Sequence, residues 1–457
     1  MTRVMKTGPS ALAAMAAAGI FASGMSPVRA ADLGGNCCAD LEERIADLEA
    51  TTARKGNRKV VLQVTGWVNE ALFFFDDGVE RNAYIGTNSL EQSRVNFRGD
   101  AKINADLSAG YRLELGLNSS PSNLFSQDRD TPAAFNNAVV RQSNWYINSK
   151  SLGRLTLGLT GTATYHLIDD ADPSATRNFS DFEAASIAAA RFNVLSGGSR
   201  AAVSNLAWNQ IYRGVSNGVP GQNGRRNVVR YDSPEIFGFV GTFTWGEDDQ
   251  WGGALTYKQT FGDFKVIGKA GYENSTDEST ANNSSCSSNA DRTRAGVVIG
   301  VQCEWFGVGG SVVHEPTGLF VYGGYGAQFD QSEKEARPPT PGVLGAQGTD
   351  RVWYIQGGLE KEWLSSGGKT TLFGEYRADD GGSNVGAAAA FGGAAAFLHD
   401  SRVDSYAAGV IQGITAGDAV QLYAIYRRVE GDITNSRGVN RELDSFDIVT
   451  TGAKVAF

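Results

Sequence analysis

After its first thirty residues the sequence has no long apolar run, and its mean hydropathy is −0.25. A membrane-spanning helix needs about 20 consecutive apolar residues, so this composition excludes a helical membrane protein. Strands that are apolar on one face only remain compatible with it, because a transmembrane barrel needs no long apolar run. The composition therefore leaves soluble proteins and membrane-embedded barrels.

Residues that usually carry chemistry are scarce. His166, His314 and His399 are the only histidines, and their spacing fits neither a metal site nor an acid–base pair. The glycine-rich stretches lack the Lys-Ser/Thr ending of a phosphate-binding loop, and no Gly-x-Ser-x-Gly nucleophile motif occurs. The sequence therefore predicts no enzyme activity, no metal site and no cofactor.

Positive charge is also in deficit, with 41 basic against 50 acidic residues. Without Arg3, Lys6 and Arg29 near the N-terminus, 38 basic residues remain and the formal charge is −12. This excess of negative charge argues against a nucleic-acid partner.

The four cysteines, Cys37, Cys38, Cys286 and Cys303, have neither metal-ligand spacing nor a CxxC motif. In an exported chain they can oxidise. Cys286 and Cys303 flank a polar loop and are a candidate disulfide, with the free thiols as the open alternative. The residue before Cys37 does not suit lipid attachment, so we do not expect a lipoprotein.

The first thirty residues have the pattern of a secretory signal peptide. Basic Arg3 and Lys6 precede a short apolar run, and Val28-Arg29-Ala30 suits cleavage near Ala30. A buried N-terminal helix is the alternative. We expect residues 1–30 to be a signal peptide and the protein to be exported.

Residues 31–59 contain one predicted helix. Cys38, Leu41, Ile45, Leu48 and Thr52 follow a heptad spacing among charged residues. Two heptads are too short to be stable as a free helix. The segment is thus either a short coiled coil, held by a larger oligomer at the periplasmic face, or a helix packed on its own domain.

From residue 60 to the C-terminus the pattern changes to strict alternation. In "SRVNFRGDAKINAD", Val95 and Phe97 point one way while Arg94 and Arg98 point the other. The charged face must contact water, because each unpaired ion in a dry core costs several kcal/mol. Such strands suit either the outside of a soluble sheet or the lumen of a large barrel.

Connection lengths favour the barrel. Short turns alternate with long segments, such as 161–224 and 274–304, which is typical of outer-membrane barrels. Residues 203–212 look like a strand, but including them would put later long loops on the wrong side, so we assign them to the third loop. The sixteen predicted strands cover residues 60–75, 91–105, 109–118, 139–149, 153–160, 225–233, 237–245, 251–260, 264–273, 305–314, 319–329, 351–362, 369–378, 403–414, 418–429 and 443–457.

The C-terminus supports the same interpretation. The chain ends "FDIVTTGAKVAF", an alternating strand whose last residue is Phe457. Termini usually fray, whereas a closed barrel needs its last strand to remove the sheet edge. The predicted fold class is therefore all-β, a 16-stranded antiparallel transmembrane barrel formed by residues 60–457.

These stretches resemble the trimeric sixteen-stranded general porins of Gram-negative outer membranes, most closely the α-proteobacterial type. The matching segments include "SRVNFRGDAKINADLSAGYRLELGL", "GRLTLGLTGTAT", "VRYDSPEIFGFVGTFTWGEDDQWGGALTYK" and "VVHEPTGLFVYGGYG". The resemblance implies a homotrimer among outer-membrane lipids and lipopolysaccharide, and passive diffusion of small hydrophilic solutes and ions. It also implies that the barrel-assembly machinery reads Phe457. The alternatives are a substrate-selective channel of the same fold and a secreted soluble all-β binding protein.

The resemblance further implies that residues 161–224 fold into the lumen and narrow it. Loop carboxylates would then face basic side chains on the barrel wall, and the acidic loop predicts a weak cation preference. The candidate constriction residues are Asp169, Asp170, Asp181 and Glu183 on the loop and Arg94, Arg98, Arg112 and Arg230 on the wall, with Arg141 and Arg226 as further wall residues expected from alternation.

Overall fold

A computed structural model gives the arrangement of most of the chain after residue 60. The predicted signal peptide, the 31–59 segment and Cys286 lie outside the described residues. Those residues are 61–117, 119–129, 138–183, 191–212, 219–246, 249–276, 293–294, 297–298, 302–363, 368–389, 391, 396–414 and 417–457.

Strands dominate the described residues, and no helix among them is long and apolar enough to cross a membrane. The strands are β1 (Val61–Asp76), β2 (Arg81–Thr87), β3 (Arg94–Lys102), β4 (Leu107–Gly116), β5 (Val139–Ser149), β6 (Gly153–Gly161), β7 (Arg225–Asp232), β8 (Phe239–Gly246), β9 (Trp251–Phe261), β10 (Phe264–Ser275), β11 (Thr293–Arg294), β12 (Val297–Val298), β13 (Cys303–His314), β14 (Leu319–Asp330), β15 (Thr349–Lys361), β16 (Thr370–Gly381), β17 (Asn384–Ala388), β18 (Phe397–Gly413), β19 (Val420–Asn435), β20 (Asn440–Glu442) and β21 (Phe446–Ala456). One short helix, α1, covers Gln331–Ala336, and 3-10 turns occur at Ser122–Leu124, Asp169–Ala171, Ala175–Asn178, Ala201–Val203 and Trp208–Gln210.

Sixteen of these strands form a closed antiparallel barrel, which confirms the predicted fold class. Each barrel strand pairs with its neighbours in chain order, and β1 pairs with β21 to close the sheet. β2, β17 and β20 are short additions beside the long connections, and β11 and β12 pair only with each other. Residues 203–212 form turns instead of a strand.

The largest boundary differences are at one hairpin. β18 begins at Phe397, not 403, and β19 ends at Asn435, not 429. The ladder continues through pairs such as Arg402 with Asp432. The added part of this hairpin extends beyond the apolar belt, so its outward side chains are charged. Apolar alternation in the sequence therefore could not reveal these extra strand residues.

The outer face of the barrel is apolar and exposed. On β13, Phe306, Val308 and Val312 are exposed, whereas Trp305 and Ser311 are buried against the interior. A soluble sheet would bury the apolar face and expose the polar one. The observed distribution fits a barrel whose outside contacts lipid and whose inside holds polar groups.

The barrel closes at the chain ends. β1 and β21 pair from Trp67 opposite Ala456 to Asp76 opposite Asp447. Beyond this ladder, the Gly66 amide donates to the Phe457 carbonyl at 3.0 Å, and the Phe457 amide donates to the Gly66 carbonyl at 2.9 Å. A Cβ at position 66 would lie 2.4 Å from the Arg94 carbonyl and 2.7 Å from the Phe457 ring. Glycine therefore allows the last residue to complete the sheet.

Replacing Gly66 with Val should weaken closure, because the added atoms collide with backbone and ring atoms. We expect about 1–3 kcal/mol of destabilisation, as for overpacked sites. The fraction of folded barrel can be measured from its faster migration in unheated detergent gels. Gly268→Val on β10 is the control, since no atom lies within 4 Å of the position a Cβ would take there. Equal loss in both variants would contradict a specific role for Gly66.

Candidate functional site

The described part of the connection between β6 and β7 lies inside the barrel. Of this segment the structure describes residues 162–183, 191–212 and 219–224. Ile168, Phe182 and Trp208 are almost completely buried, and they pack with inward-facing residues such as Tyr322 and Phe446. The loop thus rests on the inner wall.

Glycines on β13 and β14 let the loop backbone approach this wall. A Cβ at Gly324 would lie 2.3 Å from the Ile168 side chain, and one at Gly326 would lie 1.8 Å from the Pro220 carbonyl. On β13, a Cβ at Gly309 would lie 3.1 Å from the Ile168 backbone. The glycine-rich stretch "GGYGAQ" therefore serves loop docking.

One carboxylate ties both ends of the loop to the wall. Glu273, fully buried on β10, accepts a hydrogen bond from the Thr164 hydroxyl at 2.7 Å. It also accepts from the Asn223 and Gln250 side-chain amides. Thr164 follows β6 closely and Asn223 precedes β7, so the loop is fixed at its entry and its exit.

A second anchor lies farther along the loop. Arg427 on β19 pairs with Glu375 on β16 at 2.6 Å and donates to the Ser180 hydroxyl at 2.8 Å. The Ser180 hydroxyl in turn donates to Glu375, and buried Arg377 donates to the Phe182 carbonyl. Removing one member would leave an uncompensated buried charge, which costs about 3–5 kcal/mol.

Arg177 holds the acidic part of the loop together. Its guanidinium lies 2.8 Å from Asp181 and 3.1 Å from both Asp169 and Asp170. His166 Nδ1 lies 2.5 Å from Asp169 Oδ2, and Lys269 of β10 lies 3.3 Å from Asp170. The acidic segment is therefore a network of ion pairs.

These contacts shift the protonation of the loop groups. Burial alone would lower the pKa of His166, but Asp169 beside it raises that pKa to about 10. Burial alone would raise the pKa of Asp169, but Arg177 and His166 hold it well below its usual range. Burial raises the pKa of Asp172 to about 7, against hydrogen bonds from Thr176 and Ser174. At neutral pH, His166 is thus protonated and Asp169 ionised.

Between the loop and the wall of β3, β4 and β5 lies a cavity of about 820 Å³. It has guanidinium groups on the wall and both acidic and basic groups on the loop. The charged groups and the histidine that line it are Arg94, Arg112, Arg141 and Arg225, His166, Asp170, Arg177 and Glu183, and Glu91 and Glu114.

One buried carboxylate arranges the guanidinium groups of the wall. Glu114 on β4 pairs with Arg94 at 3.2 Å and with both Arg112 and Arg141 at 2.7 Å. Arg141 reaches it through a bulge, since the register shifts between Glu114 and Leu115 and leaves Arg141 as the extra residue. The sequence analysis expected Arg141 to face inward by alternation, but alternation counted from the exposed Trp145 would place it on the outer face. The bulge is what turns it inward.

Four of the predicted constriction residues meet at this cavity: Arg94, Arg112, Asp170 and Glu183. Asp169 and Asp181 lie beneath its surface, fully buried and paired with Arg177.

Arg98 and Arg230 do not line the cavity. Arg98 pairs with Asp100 at 2.9 Å. It lies two inward-facing positions beyond Arg94 on β3, which places it about 13 Å from Arg94 along the strand. Arg230 pairs with Asp232 at 2.8 Å and donates to the Gly161 carbonyl, where the loop begins. Alternation gives the face of a side chain but not its depth in the barrel.

The sequence analysis did not single out Arg225 or His166 as lining groups. Arg225 donates to the Tyr165 hydroxyl at 2.9 Å, and its guanidinium lies 5.1 Å from the Tyr165 ring centroid. His166 is held by Asp169, three residues later. The spacing of His166 and Asp169 was a local signal, whereas nothing in the sequence indicated the contact of Arg225. Cys303 is part of a disulfide, and the predicted partner Cys286 lies outside the described residues.

Two outer-membrane proteins of known structure have a similar fold. OmpF of Salmonella typhi, solved in complex with daunomycin, matches with a TM-score of 0.50 and 11% identity, over 87% of this chain and 98% of that chain. The outer membrane channel DcaP of Acinetobacter baumannii matches with a TM-score of 0.51 and 11% identity, over 89% of this chain and 100% of that chain.

Sequence comparison gives the family. Among curated protein sequences none matches this chain. The profile of the Gram-negative porins matches residues 11–434, which is most of its length. The chain belongs to the Gram-negative porin family.

Proposed function

We propose that this porin is a homotrimeric channel of the outer membrane, with residues 161–224 as its constriction. Small hydrophilic solutes and ions cross by passive diffusion through the lumen. The observation that carries this proposal is the cavity of about 820 Å³, which lies between a loop anchored inside the barrel and a wall of guanidinium groups. A sixteen-stranded barrel is wide enough to leave an aqueous path beside such a loop.

The charges at the cavity would act on a passing solute through a transverse field. Arginines of the wall face Asp170 and Glu183 of the loop, and low-dielectric walls focus the field between them. Five arginines, protonated His166 and four carboxylates line the cavity, so both signs are present with a small excess of positive charge. We therefore expect weak ion selectivity, and the cation preference suggested by the acidic loop remains a prediction.

The ends of the chain would direct export and assembly. We infer a signal peptide over 1–30 cleaved near Ala30, a periplasmic helix within 31–59 that supports the trimer as a coiled coil, and a barrel over 60–457. Phe457, which follows β21 and pairs with Gly66, would be the residue read by the barrel-assembly machinery. Outer-membrane lipids and lipopolysaccharide would contact the apolar outer face.

The remaining sequence-based hypotheses are kept as proposals. A disulfide between Cys286 and Cys303 would tie the long 274–304 connection to β13. The α-proteobacterial type rests on the resemblance of the strands alone. A channel that conducts without chemistry needs no catalytic group, so we propose that the protein is not an enzyme.

A substrate-selective channel is the second candidate. The cavity has the volume of an ordinary small-molecule site, and Glu114 fixes three guanidinium groups beside it. A solute flux that saturates with concentration would favour this candidate. A linear dependence would favour general diffusion.

Single-channel recording in planar bilayers tests the proposed function. The purified barrel should give discrete current steps that grow linearly with salt concentration. Refolded protein that shifts on heating in detergent gels, yet gives no steps, would contradict a channel.

Asp170→Asn should move the reversal potential toward anions, and Arg112→Gln should move it toward cations. Both side chains are partly exposed at the cavity, and removing either charge alters the local balance. The shift should grow in dilute salt, because screening acts over about 10 Å at 0.1 M. The measurement is the zero-current voltage across a salt gradient. Arg98→Gln removes a lumen charge away from the cavity and is the control, and a shift as large as that of Arg112→Gln would refute the assigned constriction.

Asp169→Asn should destabilise the loop far more than Asp170→Asn does. Asp169 is fully buried between His166 and Arg177, whereas 47% of the Asp170 side chain is exposed. We expect a loss of about 3–5 kcal/mol for the buried partner and about 0–1 kcal/mol for the exposed one. Thermal unfolding of the barrel, with current noise as a second readout, measures the difference. Similar stabilities for the two variants would show that the buried network does not hold the loop.

A further inference from the structure

One group of loop side chains combines the ligand types of a metal site. His166 Nδ1 and carboxylate oxygens of Asp169 and Glu183 all lie within 4.8 Å of one another. Asp169 and Glu183 are buried, at 0% and 5% exposure, and His166 is partly exposed. His166 and Glu183 also line the cavity, so an ion in the lumen can reach the group.

A second observation at the same place indicates a missing partner. Oδ2 of Asp169 contacts both His166 and Arg177, but Oδ1 is buried without a hydrogen-bond partner in the part of the chain that the structure describes. A buried acceptor left unsatisfied costs about 1–3 kcal/mol, and more when it is charged. A cation bound at Oδ1 would satisfy it.

The local charge also suits a cation. Four carboxylates gather here, from Asp169, Asp170, Asp181 and Glu183. The basic side chains in ion-pair contact with the aspartates are Arg177, Lys269 and His166. The acidic side chains of this group therefore outnumber the basic ones in contact with them, which favours a cation.

We propose that His166, Asp169 and Glu183 bind one divalent transition-metal ion, with Zn²⁺ as the best fit. One imidazole and two carboxylates are ligands that zinc accepts, whereas Ca²⁺ and Mg²⁺ prefer oxygen ligands alone. The fourth position would be open to water in the cavity. The sequence analysis missed this site because it compared histidine spacings, and only the folded loop brings Glu183 back to His166.

An ion bound at this position would also affect transport, a consequence that rests on the proposed channel function. A bound dication would lie at the loop side of the cavity and would change its field and width. Zn²⁺ should therefore reduce the single-channel current.

Calorimetric titration of the folded full-length barrel with Zn²⁺ tests the site directly. We expect one site, with affinity reduced at least about tenfold in His166→Ala and in Glu183→Gln. His314→Ala and His399→Ala are matched controls that remove the other histidines and should bind as the unmodified protein does. X-ray absorption should show nitrogen and oxygen ligands at about 2.0–2.1 Å, without the sulfur shell at about 2.3 Å that Cys37 or Cys38 would give.

Several results would overturn the site: no binding, equal affinity in both ligand variants, or a sulfur shell. Migration in unheated gels establishes that each variant is folded. Glu183→Gln keeps the shape of the side chain and serves if His166→Ala does not fold.

Current recordings separate this site from the channel proposal. Zn²⁺ should lower the current of the unmodified protein and not that of His166→Ala, with Mg²⁺ at the same concentration as the screening control. A barrel that conducts but does not bind Zn²⁺ would refute the metal site alone. A barrel that binds Zn²⁺ but never conducts would refute the channel alone.

Discussion

Closure of the sheet is the constraint on which the rest of this structure depends. Unpaired backbone groups cannot face lipid, so the first and last strands must meet. β1 and β21 do so over a ladder that runs from Trp67 to Asp76, and Gly66 extends it to the last residue. Once the ring of sixteen strands is closed, every side chain faces either outward or into the lumen. The alternation of the sequence is a direct result of that division.

The same closure creates a second problem, because side chains alone do not fill so wide a lumen. The 161–224 loop meets it by packing its own apolar core against the wall. Polar anchors at Glu273 and Glu375 fix the loop by hydrogen bonds and ion pairs, and inward glycines on β13 and β14 let its backbone come close. Among the described residues that line the cavity on β3, β4 and β5 there is no glycine, and this wall instead carries arginines. The loop therefore lies to one side and leaves the path on the other.

The sequence was sufficient to predict the strands, because lipid on one face and water on the other determine their pattern of apolar and polar residues. All sixteen barrel strands were placed, because each alternates between an apolar and a polar environment. It failed where pairing continues without an apolar face, as at Phe397 and Asn435, and where depth along a strand decides the contacts, as for Arg98. The bulge that turns Arg141 inward breaks the two-residue period of the strand, so the inward position of Arg141 is explained only by the observed register.

The charged side chains in the lumen are of two kinds, those buried in ion pairs and those exposed at the cavity surface. Asp169, Asp181 and Glu114 are buried and paired with basic side chains, so their charges hold the loop and the arginines in place. Groups at the cavity surface, such as Asp170 and Arg112, remain open to water and to solutes. A count of charges in the loop sequence treats both kinds alike and overstates the negative field. We therefore expect selectivity to follow the few exposed groups, while the buried ones hold those groups in position.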